Sequence, residues 1–217
     1  MRLYPLALKV AGRRCLVVGG GRVAERKVAS LLAAGARVVV VSPALCPGLD
    51  ALARDSMIDA HLRGFVSGDV AGAFIVIAAT DDPAVNEAVY TAAKEHGVLI
   101  NTVDVPDRCD FYVPAQVNRG DLTVTVSTGG VCPALSKRLR KELDRLVSPA
   151  YEPYLELLEQ LREQLQARVA DPEKRKGVLE AFLDSAAFEQ LEAGRPDEAR
   201  RILEAHLPSA TEGLGEQ

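Results

Sequence analysis

The chain has 217 residues, 48% of them hydrophobic, and a formal net charge of −4 at pH 7. That is enough for one large domain or a main domain with smaller appendages, and the acidic balance gives no global attraction to nucleic acid or an anionic membrane. No apolar run reaches the roughly 18 residues of a membrane span, and Met1–Val10 is too short and polar for a signal peptide, so a cytoplasmic protein is expected.

Arg14–Val18 has the look of a buried strand, and Gly19-Gly20-Gly21 follows it directly. A helical pattern then runs from Val23 to about Ala34. As Gly19-x-Gly21-x-x-Ala24 the segment fits a dinucleotide-binding turn. Gly19 allows the tight bend, Gly21 lets a pyrophosphate approach the backbone, and Ala24 lets the helix pack closely on the sheet. The N–H groups that open this helix, around Arg22 and Val23, offer a partial positive charge to the phosphates.

Arg37–Val41 is the next strand, and its end, Ser42-Pro43-Ala44, lacks the carboxylate that usually binds a ribose. Ser42, with Pro43 beside it, is the hydrogen-bonding candidate there. No basic residue follows for a 2′-phosphate, so NAD is expected rather than NADP. A helical stretch near Pro47–Asp55, a short strand near Ile58–Leu62, an apolar strand Phe74–Ala79, a helix Pro83–His96 and a strand Val98–Thr102 complete an alternating series. Gly35 and Gly97 stand where helix C-termini need a left-handed residue. Alternation of this kind predicts a parallel sheet with helices on both faces. At the end of the fourth strand, Ala79 is small enough for a cofactor to approach and Thr80 is a second contact. Asp81-Asp82-Pro83 fits a helix N-cap equally well.

After Val103 the pattern changes. Phe111–Val117 and Leu122–Ser127 alternate around Asn118-Arg119-Gly120-Asp121 as in a hairpin or paired meander. Pro133 sits near the start of a helix reaching about Leu146. From Tyr151 onward the chain reads as helical, with Tyr151, Tyr154, Leu158, Leu161, Leu165 and Val169 on one stripe. Asp171-Pro172 opens a second helix with Val178, Leu179, Phe182 and Leu183 inward. Pro196 opens a third with Ala199, Ile202 and Leu203 inward, and the last ten residues are expected to fray. Cys15, Cys46, Cys109 and Cys132 form no CxxC pair, and neither they nor His61, His96 and His206 show metal-ligand spacing. Reduced thiols and no fixed metal are expected.

Further strings occur in order: Pro5-Leu6-x-Leu8, Gly19-Gly20-Gly21-x-Val23-Ala24-x-Arg26-Lys27, Ala78-Ala79-Thr80-Asp81-Asp82, Asn101-x-Val103-Asp104-x-Pro106, Phe111-x-x-Pro114-Ala115 and Ser127-Thr128-Gly129-Gly130-x-Cys132-Pro133. Together they resemble the precorrin-2 dehydrogenase/sirohydrochlorin ferrochelatase family of sirohaem biosynthesis. The likeness is close over about the first 150 residues and one of helical character beyond them. It implies an α/β fold in three parts: a Rossmann-like parallel-sheet domain at 1–113, a small α+β dimerisation unit at 114–149, and an all-helical C-terminal domain at 150–217.

The resemblance also implies a homodimer that oxidises precorrin-2 to sirohydrochlorin with NAD, and in some members inserts Fe²⁺ or Co²⁺ into the product. The methyltransferase module of longer fused members is not expected here. Asp104 occupies the family's catalytic position, where a carboxylate past a strand's end can take a proton as general base. Asn101, Pro114, Thr128, Gly129 and Gly130 are the implied substrate-binding residues, Thr128 standing where Ser is common. Lys137, Arg138, Arg140 and Lys141 offer charge to a polycarboxylate tetrapyrrole, although a solvated helix face explains most of them. No nucleic-acid or membrane partner is expected. A nucleotide-sensing module without tetrapyrrole chemistry is the rival reading, and it leaves Asp104 and Ser127–Pro133 without a purpose.

Overall fold

The computed structural model of the protein describes residues 3–207. It divides into two compact units, Met1–Val113 and Pro114–Gln217. The last ten residues, expected above to fray, lie outside the described residues.

In the first unit β1 (Arg14–Val18), β2 (Arg37–Val41), β3 (Asp59–His61), β4 (Ile75–Ala78) and β5 (Leu99–Thr102) form one sheet in the order β3-β2-β1-β4-β5. Every pairing is parallel. The strands are short Val- and Ile-rich runs because both faces are covered. Cys15, Val17, Val38, Val40, Ile75 and Ile77 point to one face. There they meet Ala24, Val28 and Leu31 of α1 (Arg22–Ala33) and Leu49 of α2 (Pro47–Arg54). Leu16, Val18, Val39, Val41, Val76 and Ile100 point the other way, onto Val89, Ala92 and Ala93 of α3 (Pro83–Glu95). The two-residue alternation thus loads both faces of one sheet. Gly35 and Gly97 close α1 and α3 at φ 74° and 65°, as their positions predict.

The sheet is level at its C-terminal edge. The residue after each of four strands still donates to its neighbour: Gly19 N–H to Val41 O (2.9 Å), Ser42 N–H to His61 O (3.1 Å), Ala79 N–H to Val18 O (2.8 Å) and Val103 N–H to Ala78 O (2.9 Å). Strand order reverses between β1 and β4, so the loops after these two strands flank the crevice where open parallel sheets take ligands.

In the second unit β6 (Ala115–Arg119) and β7 (Leu122–Val126) form an antiparallel hairpin around Gly120-Asp121, with Gly120 at φ 55°. The hairpin was expected, but Phe111–Pro114 does not belong to it. Phe111 packs instead into the core beneath α1, and its carbonyl accepts from Asn101 Nδ2 at 2.9 Å. α4 (Pro133–Leu146) follows, held to the hairpin by Arg119, which donates to the Val147 and Asp144 carbonyls at 3.0 and 2.8 Å.

α5 (Tyr151–Arg168), α6 (Pro172–Leu183), α7 (Ala187–Glu192) and α8 (Pro196–His206) share a core built on Tyr154, Leu157, Leu161, Leu165, Phe182, Ala187, Ala199 and Leu203. Asp171 caps α6 by accepting from Glu173 N–H at 2.9 Å. Four details depart from the sequence pattern. Leu183 is exposed, and the α6 contact is carried by Phe182 with Val178 and Leu179. Val169 lies just past the end of α5, and Leu157 is buried in addition to the expected stripe. α7 is a separate helix that periodicity does not reveal, since six residues are too few to show it.

Candidate active site

At the end of β1 the three glycines do different jobs. Gly19 has φ 123°, and a Cβ there would overlap the Ala79 carbonyl, so the turn passes directly against the end of β4. A Cβ at Gly20 would overlap the Ala44 carbonyl, and Gly20 O accepts from Cys46 N–H at 2.7 Å. The loop after β2 is thereby folded onto the glycine turn. Gly21 is the opposite case. It is the N-cap of α1, no side chain caps that end, and a Cβ there would meet nothing within 4 Å. The first α1 bond is Glu25 N–H to Gly21 O (3.0 Å), leaving the N–H groups of Arg22, Val23 and Ala24 directed at the open space. Open room over Gly21 beside uncapped N–H groups fits a dinucleotide pyrophosphate.

The other cofactor-edge residues line up along the same edge. Ser42 is buried, and its hydroxyl donates to Ala44 O at 2.8 Å, so it shapes the β2 loop. Pro43 beside it is exposed. Ala79 is buried against Gly19, and Thr80 Oγ1 accepts from Asp82 N–H at 3.1 Å. Asp82 caps α3, accepting from Ala84 and Val85 N–H at 2.8 and 3.3 Å. Asn86 Nδ2 donates to Thr80 O at 2.9 Å, while Asn86 Oδ1 and Thr102 Oγ1 are buried without a hydrogen-bond partner.

Asp104 stands two residues beyond β5, at φ 61°. This left-handed region is uncommon for a residue with a Cβ and most accessible to Asn and Asp. The loop around it is firmly held. Asp110 N–H donates to Ile100 O (2.8 Å), and its carboxylate accepts from Ile100 N–H (3.1 Å) and pairs with Lys94. Arg108 pairs with Glu87 of α3. Cys109 closes the loop from within, its thiol donating to Thr102 O (3.1 Å) and Val105 O (3.3 Å) and accepting from Asn101 Nδ2 (3.4 Å). Burial pushes that thiol's pKa up, which keeps it a donor. Asn101 is therefore bound up in positioning the Asp104 loop.

Lys27 ends the Gly19–Lys27 string. It shares the helical stripe of Ala24, Val28 and Leu31, whose core also receives Val103 and Phe111 from either end of the Asp104 loop. Burial and the Arg26 charge push its ammonium pKa down, and nearby Cys109 and Asp104 act in the opposite sense. A lysine three residues from Ala24 and four from Leu31 was the available sign that it faces inward.

Pro114, Thr128, Gly129 and Gly130 belong to the second unit. Thr128 Oγ1 accepts from Cys132 N–H at 3.1 Å and lies 3.2 Å from the Ser136 hydroxyl, so it organises the entry to α4. Gly129 and Gly130 have φ 61° and 84°, and a Cβ at Gly130 would meet nothing within 4 Å. Among the basic residues of α4, Arg138 donates to Glu142 at 3.2 Å and Arg140 lies 3.8 Å from Asp144. His96 Nδ1 lies 2.9 Å from Ala92 O at the end of α3, a helix-terminal role. All four cysteines are free, and among the described residues no cluster of three or more His, Cys, Asp or Glu could hold a metal ion. No described helix is long and apolar enough to cross a membrane.

Residues 6–115 match a family described as putative NAD(P)-binding. Residues 119–146 match the sirohaem biosynthesis protein central region, and 150–207 the sirohaem synthase dimerisation region. The chain belongs to the precorrin-2 dehydrogenase/sirohydrochlorin ferrochelatase family. It is 42% identical over 207 residues to a sirohaem synthase of Thioalkalivibrio sulfidiphilus, covering 95% of this chain and 42% of that protein. A sirohaem synthase of Nitrosococcus oceani is 39% identical, with 95% and 44% covered. The chain thus spans less than half the length of these relatives. Among solved structures, one titled SirC, precorrin-2 dehydrogenase, superposes with a TM-score of 0.76 at 25% identity, covering 94% of this chain and all of that one. The Rossmann-like sheet and the helical C-terminal region both lie within that match.

Proposed function

We propose that this chain oxidises precorrin-2 to sirohydrochlorin with NAD, working as a homodimer in the cytoplasm. Residues 1–113 would carry the nucleotide, 114–149 the central unit and 150–217 the helical domain of the dimer. The observation that carries the reading is Asp104, a carboxylate held in a left-handed turn at the sheet's ligand-binding edge, past the neighbour of the strand whose end touches Gly19.

Oxidation of the reduced macrocycle removes a hydride and a proton. A bound nicotinamide supplies the hydride acceptor. The chain's own residues do the rest. Gly21 and the first N–H groups of α1 hold the pyrophosphate, with Arg22 and Val23 at the helix opening. Gly19 and Ala79 keep the floor flat, and Ser42, Pro43 and Thr80 border it on either side. Asp104 takes the proton as general base. Asn101 and Cys109 fix the loop that aims it, while Lys27 places a half-buried cation on the same face.

Pro114, Thr128, Gly129 and Gly130 are proposed to meet the substrate, the glycine turn offering backbone N–H groups to a carboxylate. Insertion of Fe²⁺ or Co²⁺ into sirohydrochlorin is a proposed second activity in which the metal arrives as substrate and Asp104 relieves pyrrole nitrogens of protons.

Asp104→Asn tests the assignment cleanly, because Asn tolerates the same left-handed backbone and only the charge is lost. Turnover of precorrin-2 should fall about 100-fold or more, with NADH affinity and melting temperature unchanged. Wild-type turnover in this variant would refute the role.

A further inference from the structure

The end of β2 lacks the acid that usually discriminates the two nicotinamide dinucleotides, yet a carboxylate reaches that region from another element. Glu25 lies in the first turn of α1 and is half-buried. Its Oε2 accepts from the Cys46 thiol at 3.3 Å, and Cys46 is the N-cap of α2. Its Oε1 lies over the Gly48 backbone, in space that any side chain at Gly48 would fill. Gly48 therefore keeps the α2 entry open to this carboxylate.

The surrounding loop holds the arrangement. Cys46 N–H is tied to Gly20 O, and Ser42 Oγ to Ala44 O, so the whole segment from Ser42 to Gly48 is folded against the glycine turn. That segment contains no Lys or Arg. Pro47 leaves the α2 N-terminus without one donor, and no side chain of the N-cap residue itself caps it. A negative charge is favoured at such an end by the helix dipole. In a dinucleotide laid across the edge of a parallel sheet, the adenosine ribose falls at the end of the second strand.

We infer that Glu25 sets the preference for NAD, supplying from α1 the negative charge that β2 lacks and disfavouring a 2′-phosphate beside the α2 entry. The inference rests on the nicotinamide-dinucleotide reading of this edge. A carboxylate there repels a dianionic phosphate but tolerates, and can accept from, a ribose hydroxyl. The effect is screened by salt in proportion to its exposure.

Equilibrium titration of the full chain with NADH and NADPH, followed by nucleotide fluorescence, tests this without turnover. The wild type should bind NADH more tightly, and Glu25→Gln should narrow the NADH/NADPH ratio about tenfold, chiefly by tightening NADPH. Competition against NADH by 5′-AMP and adenosine 2′,5′-bisphosphate gives a second measure on the wild type alone, whether or not the variant folds. There 5′-AMP should compete better at low salt, and the difference should shrink as salt rises.

Equal loss of both nucleotides in Glu25→Gln would show that Glu25 only seats α2, and would overturn the inference. So would an unchanged ratio, or a wild type that binds NADH and NADPH alike. A folded wild type that binds neither would instead remove the dinucleotide reading on which the inference stands.

Discussion

Gly19 and Gly21 are two residues apart, and the same substitution should act on them through different states of the protein. Alanine at Gly19 must adopt φ 123° and push its Cβ into the Ala79 carbonyl, so it should lower the melting temperature before any ligand is added. Alanine at Gly21, where the backbone is extended and the added methyl meets nothing, should lower the melting temperature much less, through the N-cap preference for Gly over Ala alone. It should weaken NADH binding about tenfold by occupying the approach to the α1 N–H groups. Thermal melts with NADH titrations on both variants check this, and unchanged NADH affinity in Gly21→Ala would remove the pyrophosphate from that space. Asp104 is likewise set by its own backbone and its immediate neighbours. Its place in a string was visible in the sequence, but its left-handed backbone and the Cys109 thiol beneath its loop were not. Both depend on Asp110 folding back to Ile100, a pairing with no periodic signature.

Elements with strong local signals matched their expectations closely: β1 with its glycine turn, the Asp82 and Asp171 caps ahead of Pro83 and Pro172, and the Gly35 and Gly97 stops. Each is decided by a few adjacent residues. Elements decided by distant contacts were harder to read. Phe111–Pro114 alternates like a strand, yet the Asn101 amide and the core beneath α1 draw it elsewhere. Lys27 has the charge of a surface residue, and only its spacing from Ala24 and Leu31 marks it as facing inward.

A local contact, spanning six residues, secures the segment between β3 and β4. Asp69 is buried and accepts from both Arg63 guanidinium nitrogens at 2.8 and 2.6 Å, and from Val66 N–H at 2.9 Å. The Arg63 hydrogen bonds, with smaller help from Val66, outweigh desolvation and hold the Asp69 pKa below its ordinary value. An acid with a depressed folded pKa stabilises the fold above its unfolded pKa, near 3.9, and loses that contribution as pH falls through the folded value. Asp69→Asn should therefore melt below the wild type at neutral pH, and the gap should close in acid. A gap that stays constant from pH 7 down to about 2 would contradict the pairing's role.

Across the whole molecule, two separately cored units divide the candidate residues. The first sets a dinucleotide edge, the Asp104 loop and Lys27 on one sheet. The second sets a glycine turn at the head of α4 and a helical core centred on Leu161 and Phe182. The family regions at 6–115, 119–146 and 150–207 run through both. Fold class was legible because strand–helix alternation and capping recur along the chain, whereas the chemistry was legible only through the combination of strings around Asp104. The most direct test of that chemistry is an anaerobic absorbance assay of the full chain with precorrin-2, with and without NAD⁺. Sirohydrochlorin should form only when NAD⁺ is present, with NADH released in equal amount. No sirohydrochlorin above the protein-free rate, from folded protein that binds NADH, would contradict it.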